Sequence, residues 1–145
     1  MNISVYRLAL VKETSLPYKT APQMHSPADV ADVVRTYLKG TDREHFVVLF
    51  LNTKSKLIGI HTVSIGDLSS AIVHPREVFK GAMLANADTI ICAHNHPSND
   101  AQPSDADLAI TRKLVEAGRF LDIKVQDHVI VADDHFISLA SRGVL

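Results

Sequence analysis

The sequence predicts one mixed α/β domain, with a largely antiparallel sheet flanked by about three helices. Its length of 145 residues suits a single domain that buries a full core. Apolar runs typical of strands come in pairs that short polar segments join, as in β-hairpins. Other segments place apolar residues at helical spacing behind a capping residue. We expect residues 1–25 to form an N-terminal strand and loop, and residues 26–145 to form the main domain.

The N-terminal part of the chain predicts a strand, a loop and a helix in that order. Residues 3–11, ISVYRLALV, are rich in branched and aromatic side chains, which favour a strand. A polar stretch with two prolines follows and is typical of a loop. Ser26 then has the position of an N-cap, with Pro27 at the first helical position and Gly40 at the helix end.

The middle of the chain predicts a hairpin, a helix and a buried strand. Residues 44–52 and 56–66 are strand-like runs separated by Thr-Lys-Ser, a short polar turn. Residues 74–87 place apolar side chains at helical spacing, which predicts a second helix. The run TIICAHNH at residues 89–96 is almost wholly apolar, as expected of a central strand covered on both faces.

The C-terminal part predicts a third helix and a second hairpin. The helix should start at Ser104 and end near Gly118, with apolar residues along one face. Residues 123–133 and 135–140 are strand-like and close the chain as a hairpin. With the earlier elements they complete one mixed sheet, so we expect a single layered domain.

Composition excludes several classes of protein. The net charge is −1 at pH 7 and the pI is about 6.7, which argues against a broad basic surface for nucleic acid. The sequence lacks an apolar run of the roughly 20 residues that a membrane-spanning helix needs. Cys92 is the only cysteine, so no intrachain disulfide can form. These features predict a cytoplasmic protein in a reducing compartment.

A metal site is predicted where the central strand ends. His94 and His96 are two residues apart, and side chains two apart on a strand project from the same face. Hydrolytic zinc sites use three protein ligands and keep a fourth position for water. Asp107 is the best candidate for the third ligand, because it lies in the first turn of the next predicted helix.

Each of these residues also has an ordinary structural explanation. Ser104 followed by Asp107 three residues later is the pattern of a capped helix. An isolated histidine is more often a surface or packed residue than a ligand. The combination of His-x-His at a buried strand end with an acid on the next helix favours the metal site. Cys92 lies on the same face as His94, and we expect it to pack in the core.

Other metal motifs that contain two nearby histidines do not match. A metallo-β-lactamase site requires an aspartate and a histidine where Ser98 and Asn99 stand. A nucleobase deaminase needs a later Cys-x-x-Cys, which one cysteine cannot supply. An amidohydrolase barrel needs about 250 residues. The zincin motif His-Glu-x-x-His is absent from the sequence.

The remaining pattern resembles the JAMM (MPN+, Mov34-type) metalloproteases. His-x-His-Pro, followed by Ser104 and Asp107 at this spacing, is similar to their signature. The stretch from Pro75 to Asp107, together with DHVIV at residues 127–131, resembles the RadC-like members, historically called DNA repair proteins. The chain is similar to the short forms without an N-terminal helix-hairpin-helix region. Asn99 stands where these relatives usually have glycine, and asparagine tolerates left-handed backbone geometry.

The resemblance implies a fold, a cofactor and an activity. The fold would be a curved mixed sheet of the JAMM and cytidine-deaminase-like type, flanked by helices. Zinc would be held by His94, His96 and Asp107, and the activity would be hydrolysis of peptide or isopeptide bonds. Ser104 matches the serine that stabilises the oxyanion, and Glu44 matches a glutamate at the start of a core strand.

The chemistry independently requires a base that is not a ligand. Zinc would lower the pKa of its water toward about 7 and polarise the scissile carbonyl. A carboxylate must then accept a proton and pass it to the leaving amine. Glu44 precedes an apolar strand, so its side chain could lie at the sheet rim facing the metal. Glu77 is the competing base, although its place near a helix start favours a capping role.

Two functions are therefore compatible with the sequence. The leading one is a zinc metallopeptidase that acts on a protein or peptide substrate. The alternative is an accessory protein of DNA repair or of a mobile element, in which the metal is structural. The near-neutral pI weighs against direct nucleic-acid binding. The oligomeric state, including a dimer, and the role of His128 stay open.

Overall fold

The computed structural model describes residues 1–66 and 73–145, and in these ranges the chain forms one mixed sheet with helices on both faces. The helices are α1 (Pro27–Tyr37), α2 (Pro75–Leu84) and α3 (Asp105–Leu121). The strands are β1 (His45–Leu51), β2 (Leu57–Ile65), β3 (Thr89–Asn95), β4 (Lys124–Val131) and β5 (Phe136–Ser138). The predicted mixed, largely antiparallel fold class is confirmed.

The five strands lie in the order β2-β1-β3-β4-β5. Among the strands of the described ranges, β3 and β4 alone run parallel, and α3 connects them as a crossover helix. The other neighbouring strands are antiparallel, and β1 and β2 form the predicted hairpin. The predicted central strand, β3, occupies the middle of the sheet, and Ile90–His94 are 0–1% exposed.

Strand alternation separates the core into two layers. Val47 and Leu49 of β1 and Ile91 of β3 pack toward α1. The neighbouring residues of these strands face the opposite way, toward α2 and α3, as Val48 and Cys92 do. Burial of both faces explains why β1 and β3 are continuous apolar runs rather than alternating ones. This alternation also fixes the face of the sheet on which a side chain at position 94 must lie.

The helix ends follow local rules, with one departure from expectation. Ser26 caps α1 as predicted, and its hydroxyl accepts a hydrogen bond from the Asp29 amide. The predicted end of α3 near Gly118 is wrong, because the helix continues to Leu121 and ends at Asp122, whose φ is 57°. Gly118 serves close packing instead, since an added Cβ would overlap the carbonyl oxygen of Ile123.

The N-terminal strand predicted at residues 3–11 is also absent from the structure. Among the described residues this segment pairs with no strand, and its apolar side chains are exposed, with Val5 95% and Val11 90% accessible. Branched side chains favour extended backbone, but a strand exists only where a neighbour completes the hydrogen bonds. The first pairing of the chain is a single bridge between Gln23 and Lys56. The division between residues 25 and 26 stays a prediction.

No helix in the described ranges combines the length and apolar character that a membrane span would require.

Cys92 packs in the core, as the sequence predicts. Its side chain is 0% exposed, and burial, aided by the charge of Asp127, raises the pKa of the thiol to about 12. Because the thiolate is the reactive form, we expect a chromogenic disulfide reagent to modify Cys92 only after denaturant unfolds the protein. Rapid modification of the native chain, measured by absorbance, would contradict this burial.

Candidate metal centre

The end of β3 presents two imidazoles to one side of the sheet. His94 continues the alternation of Ile90 and Cys92, so its ring lies on the face covered by α2 and α3. His96 follows one residue after the strand, and its amide still donates to the Val131 carbonyl of β4 at 2.9 Å. The two Nε2 atoms are 2.9 Å apart. The spacing of two residues therefore brings both rings to one point.

The loop after His96 returns the chain to the same point at the start of α3. Asn99 adopts the left-handed geometry expected of it, with φ 63°. Ser104 is the N-cap of α3, and its hydroxyl accepts from the Asp107 amide at 3.1 Å. In return, the Ser104 amide donates to Asp107 Oδ2 at 2.9 Å. This capping box holds the buried Asp107 carboxylate against the two histidines.

Three potential ligand groups converge there. His94, His96 and Asp107 each offer one ligand atom, and these atoms lie within 4.8 Å of one another, so the cluster could hold a metal ion. His94 Nε2 lies 3.3 Å from Asp107 Oδ1, and His96 Nε2 lies 3.4 Å from Asp107 Oδ2. Tetrahedral zinc with bonds of about 2.0–2.1 Å separates its ligand atoms by roughly 3.3–3.4 Å. Two of the three separations fit zinc without rearrangement.

The histidine nitrogens that face away from the cluster have hydrogen-bond partners. His96 Nδ1 contacts the Asp100 carbonyl oxygen at 2.6 Å. A carbonyl only accepts, so Nδ1 carries a proton, and in the neutral ring Nε2 has its lone pair toward the cluster. His94 Nδ1 lies 2.7 Å from Nε2 of His128. Metal-binding histidines are commonly oriented by such partners.

The charges of the cluster are complementary. Burial alone would raise the pKa of Asp107, but hydrogen bonds with His94 and His96 outweigh it and lower this pKa well below its usual range. The hydrogen bond to Asp107 is the main cause that raises the pKa of His96. The aspartate is therefore an anion inside the fold, where a cation is favoured.

Glu44 is a carboxylate adjacent to this cluster. It immediately precedes β1, and its Oε1 lies 3.8 Å from His96 Nε2. Its side chain is 23% exposed, so solvent can reach it. The competing glutamate, Glu77, is in the first turn of α2, and its carboxylate accepts from Lys80 at 2.6 Å. The geometry thus favours Glu44 as the candidate base.

Asn95 fixes the backbone on either side of Glu44. Its Oδ1 accepts from the His45 amide at 2.7 Å, and its Nδ2 donates to the Arg43 carbonyl at 2.9 Å. These bonds extend the pairing of β1 with β3 by one side chain, beyond the last pair, Phe46 with His94.

The sequence did not single out two further participants. Thr111 of α3 bonds both the Asp107 carbonyl, at 2.6 Å, and His128 Nδ1, at 2.5 Å. Asp100 holds His96 through its backbone carbonyl oxygen. Any residue type has this oxygen, so the sequence could not indicate the contact. Thr111 lies one helical turn after Asp107, so the i to i+4 spacing was the available signal. His128, whose role was open, contacts the ring of His94.

Comparison with known proteins identifies the family. A family model described as the RadC-like JAB domain matches residues 24–144. A UPF0758 protein of Desulfitobacterium hafniense is 48% identical over 124 residues, which cover 86% of this chain and 55% of the relative. One from Shouchella clausii is 47% identical over 132 residues, covering 91% and 56%. One from Desulforamulus reducens is 44% identical over 131 residues, covering 90% and 58%.

These matches cover most of this chain, which itself spans only about half the length of the curated relatives. The predicted resemblance to the RadC-like family is confirmed, because the family model matches residues 24–144 and the relatives are 44–48% identical over most of the chain. The chain belongs to the RadC-like JAB domain family.

Proposed function

We propose that the protein is a zinc-dependent hydrolase of peptide or isopeptide bonds, with a protein or peptide as its substrate. The convergence of His94, His96 and Asp107, with Glu44 beside them, carries this proposal. Two neutral imidazoles and one carboxylate are the ligand types that catalytic zinc uses, and they leave a further position for water. Bound zinc would supply a Lewis acid that acidifies water and polarises the scissile carbonyl.

In this proposal, Glu44 moves the protons. Its carboxylate would accept a proton from the attacking water and deliver it to the nitrogen of the leaving amine. The half-buried position at the sheet rim suits this role, because the carboxylate contacts His96 yet reaches solvent. The two bonds from Asn95 keep the Glu44 backbone in place while the proton moves.

Ser104 would stabilise charge on the carbonyl oxygen. Its capping bond uses a lone pair of the hydroxyl oxygen, since the Asp107 amide is the donor. The hydroxyl proton can therefore be donated to a developing oxyanion. Capping and oxyanion stabilisation are compatible in one side chain, whereas the sequence suggested a choice between them.

A cleft lies beside His96 on the α1 side of the sheet, and His96 is the one candidate site residue that lines it. It has a volume of about 570 Å³ and extends from His96 and Pro97 to the C-terminal end of α1. Leu38 and Val131 provide an apolar lining, and Arg35 lies beside them. An extended peptide could place residues on one side of its scissile bond in this cleft.

Replacing Ser104 tests both of its proposed roles. We expect Ser104→Ala to lower the free energy of unfolding by about 0.5–2 kcal/mol through loss of the cap. Turnover should fall on the order of 10²–10³-fold through loss of the oxyanion donor. Ser26→Ala is the matched control, because Ser26 and Asp29 form the same capping box on α1. If both variants lose stability and neither loses turnover, Ser104 is only a cap.

A digest of a peptide library tests the proposed activity. The zinc-loaded protein should cleave peptides or isopeptide-linked substrates, and a chelator should stop the cleavage until zinc is returned. Mass spectrometry of the products would also report the residues preferred near the cut. DNA binding that depends on salt and survives chelation, without any cleavage, would instead support the accessory role.

A further inference from the structure

A buried hydrogen-bond chain runs behind the candidate metal centre. It joins the Asp107 carbonyl, the Thr111 hydroxyl, both nitrogens of His128 and Nδ1 of His94. The three links measure 2.6, 2.5 and 2.7 Å. Thr111 is 1% exposed, and both histidines are 0% exposed. Water therefore cannot replace Thr111 or either histidine in this hydrogen-bond chain without a change in packing.

The direction of the first two bonds follows from the number of protons available. The Asp107 carbonyl can only accept, so the single proton of the Thr111 hydroxyl is donated to it. The hydroxyl oxygen must then accept in its contact with His128 Nδ1. This nitrogen therefore carries a proton.

The direction of the third bond follows from burial. A second proton on His128 would place a positive charge at a fully buried position, which is costly. A neutral His128 that is protonated at Nδ1 has a lone pair at Nε2, and this lone pair accepts from His94 Nδ1. When His94 is also neutral, as a metal ligand must be, its lone pair is at Nε2, 3.3 Å from Asp107 Oδ1, where the ligand groups converge.

The reverse orientation would block metal binding. If the Thr111 proton were directed at His128 Nδ1, then His128 Nε2 would carry its proton and donate to His94 Nδ1. A neutral His94 would then be protonated at Nε2, with no lone pair for a metal. The hydrogen bond from the Thr111 hydroxyl to the Asp107 carbonyl thus selects between the two neutral tautomers of His94.

We propose that Thr111 and His128 are positioning residues that hold His94 in the Nδ1-protonated tautomer and present its Nε2 to the metal. This inference rests on the proposed metal site. The Phe46 ring packs against the rings of both His94 and His128 and helps to fix their orientation. It stacks on His94 with centroids 6.1 Å apart and meets His128 edge-on at 5.4 Å.

Nitrogen NMR of the metal-free full chain tests the tautomer directly. Long-range proton–nitrogen correlations at pH 8, where an ordinary imidazole is neutral, report which ring nitrogen carries the proton. We expect protonated Nδ1 in both His94 and His128. An Nδ1 of His94 that carries no proton would overturn the inference, whether or not the protein binds zinc or cleaves peptides. If the predicted tautomer is found but the protein does not bind zinc, the result would support the hydrogen-bond chain and contradict the proposed function.

Variants of Thr111 test the consequence for the metal. Thr111→Val keeps the shape but removes the hydroxyl, and zinc affinity should fall about 10–100-fold, as for other partners of metal ligands. Thr111→Ser should restore both the affinity and the tautomer. Thr36→Val is the control, because the Thr36 hydroxyl donates to the Asp32 carbonyl of α1 in the same way, without a histidine. Wild-type affinity in Thr111→Val, measured by chelator competition, would overturn the inference, and so would failure of serine to restore it. If Thr111→Val does not fold, the wild-type NMR spectrum still decides.

Discussion

Glu44→Gln is expected to reduce hydrolysis on the order of 10²–10⁴-fold, the range for loss of a general acid–base group. Glutamine keeps the size of the side chain and its place beside His96, but it cannot accept the proton. Because Glu44 is not among the three clustered ligands, the bound metal should remain at the wild-type level. A large loss of turnover without a loss of metal separates the base from the ligands.

Glu77→Gln is the control for this experiment. Glu77 was the competing candidate, and its carboxylate pairs with Lys80 on the exposed face of α2. Its replacement should leave turnover near the wild-type value. Initial rates at saturating and at low substrate, measured beside metal content, distinguish the cases. A fully active Glu44→Gln variant, or an equal loss in both variants, would show that Glu44 is not the base.

Asp107→Asn is expected to weaken zinc binding by more than about 100-fold, the upper end of the effect seen for groups that only orient a ligand. The substitution removes the only carboxylate from a ligand set whose other two members are neutral imidazoles when they bind a metal. The pKa of Asp107 lies well below its usual range, so the wild-type group is ionised throughout the neutral pH range.

The second capping box supplies the control for Asp107. Asp29 accepts from the Ser26 amide at 2.9 Å, just as Asp107 accepts from the Ser104 amide. Asp29→Asn therefore reports what the same substitution costs in a helix cap without a metal. Chelator competition should show wild-type zinc affinity for Asp29→Asn and a strong loss for Asp107→Asn. Equal affinities in the two variants would remove Asp107 from the ligand set.

Local sequence patterns correctly predicted the helices and strands whose residue types and spacing are distinctive. The hairpin of β1 and β2 and the buried strand β3 follow from residue type and spacing, and so does the start of α1 at Ser26. Two details depended on packing and were wrong. Residues 3–11 lack a neighbouring strand, and Gly118 allows close contact with Ile123 instead of ending α3.

In the candidate site too, local spacing predicted some features, whereas others depended on packing. The spacing of His94 and His96, together with a helix that starts at Ser104, predicted which groups would meet. The chain through Thr111 and His128 was not predictable, because it depends on how α3 packs over β4. The two hydrogen bonds of Asn95 with the backbone on either side of Glu44 likewise depend on the register of β1 against β3. Sequence spacing indicates which side chains share a face, but not which of them touch across elements.

Elemental analysis of the purified protein measures directly whether His94 and His96 hold zinc. The wild-type chain is expected to contain stoichiometric zinc, and His94→Ala/His96→Ala should contain none above background. His61→Ala, which removes an exposed histidine of β2, should match the wild type. Equal zinc in the wild type and the double variant would contradict the assignment of the metal centre.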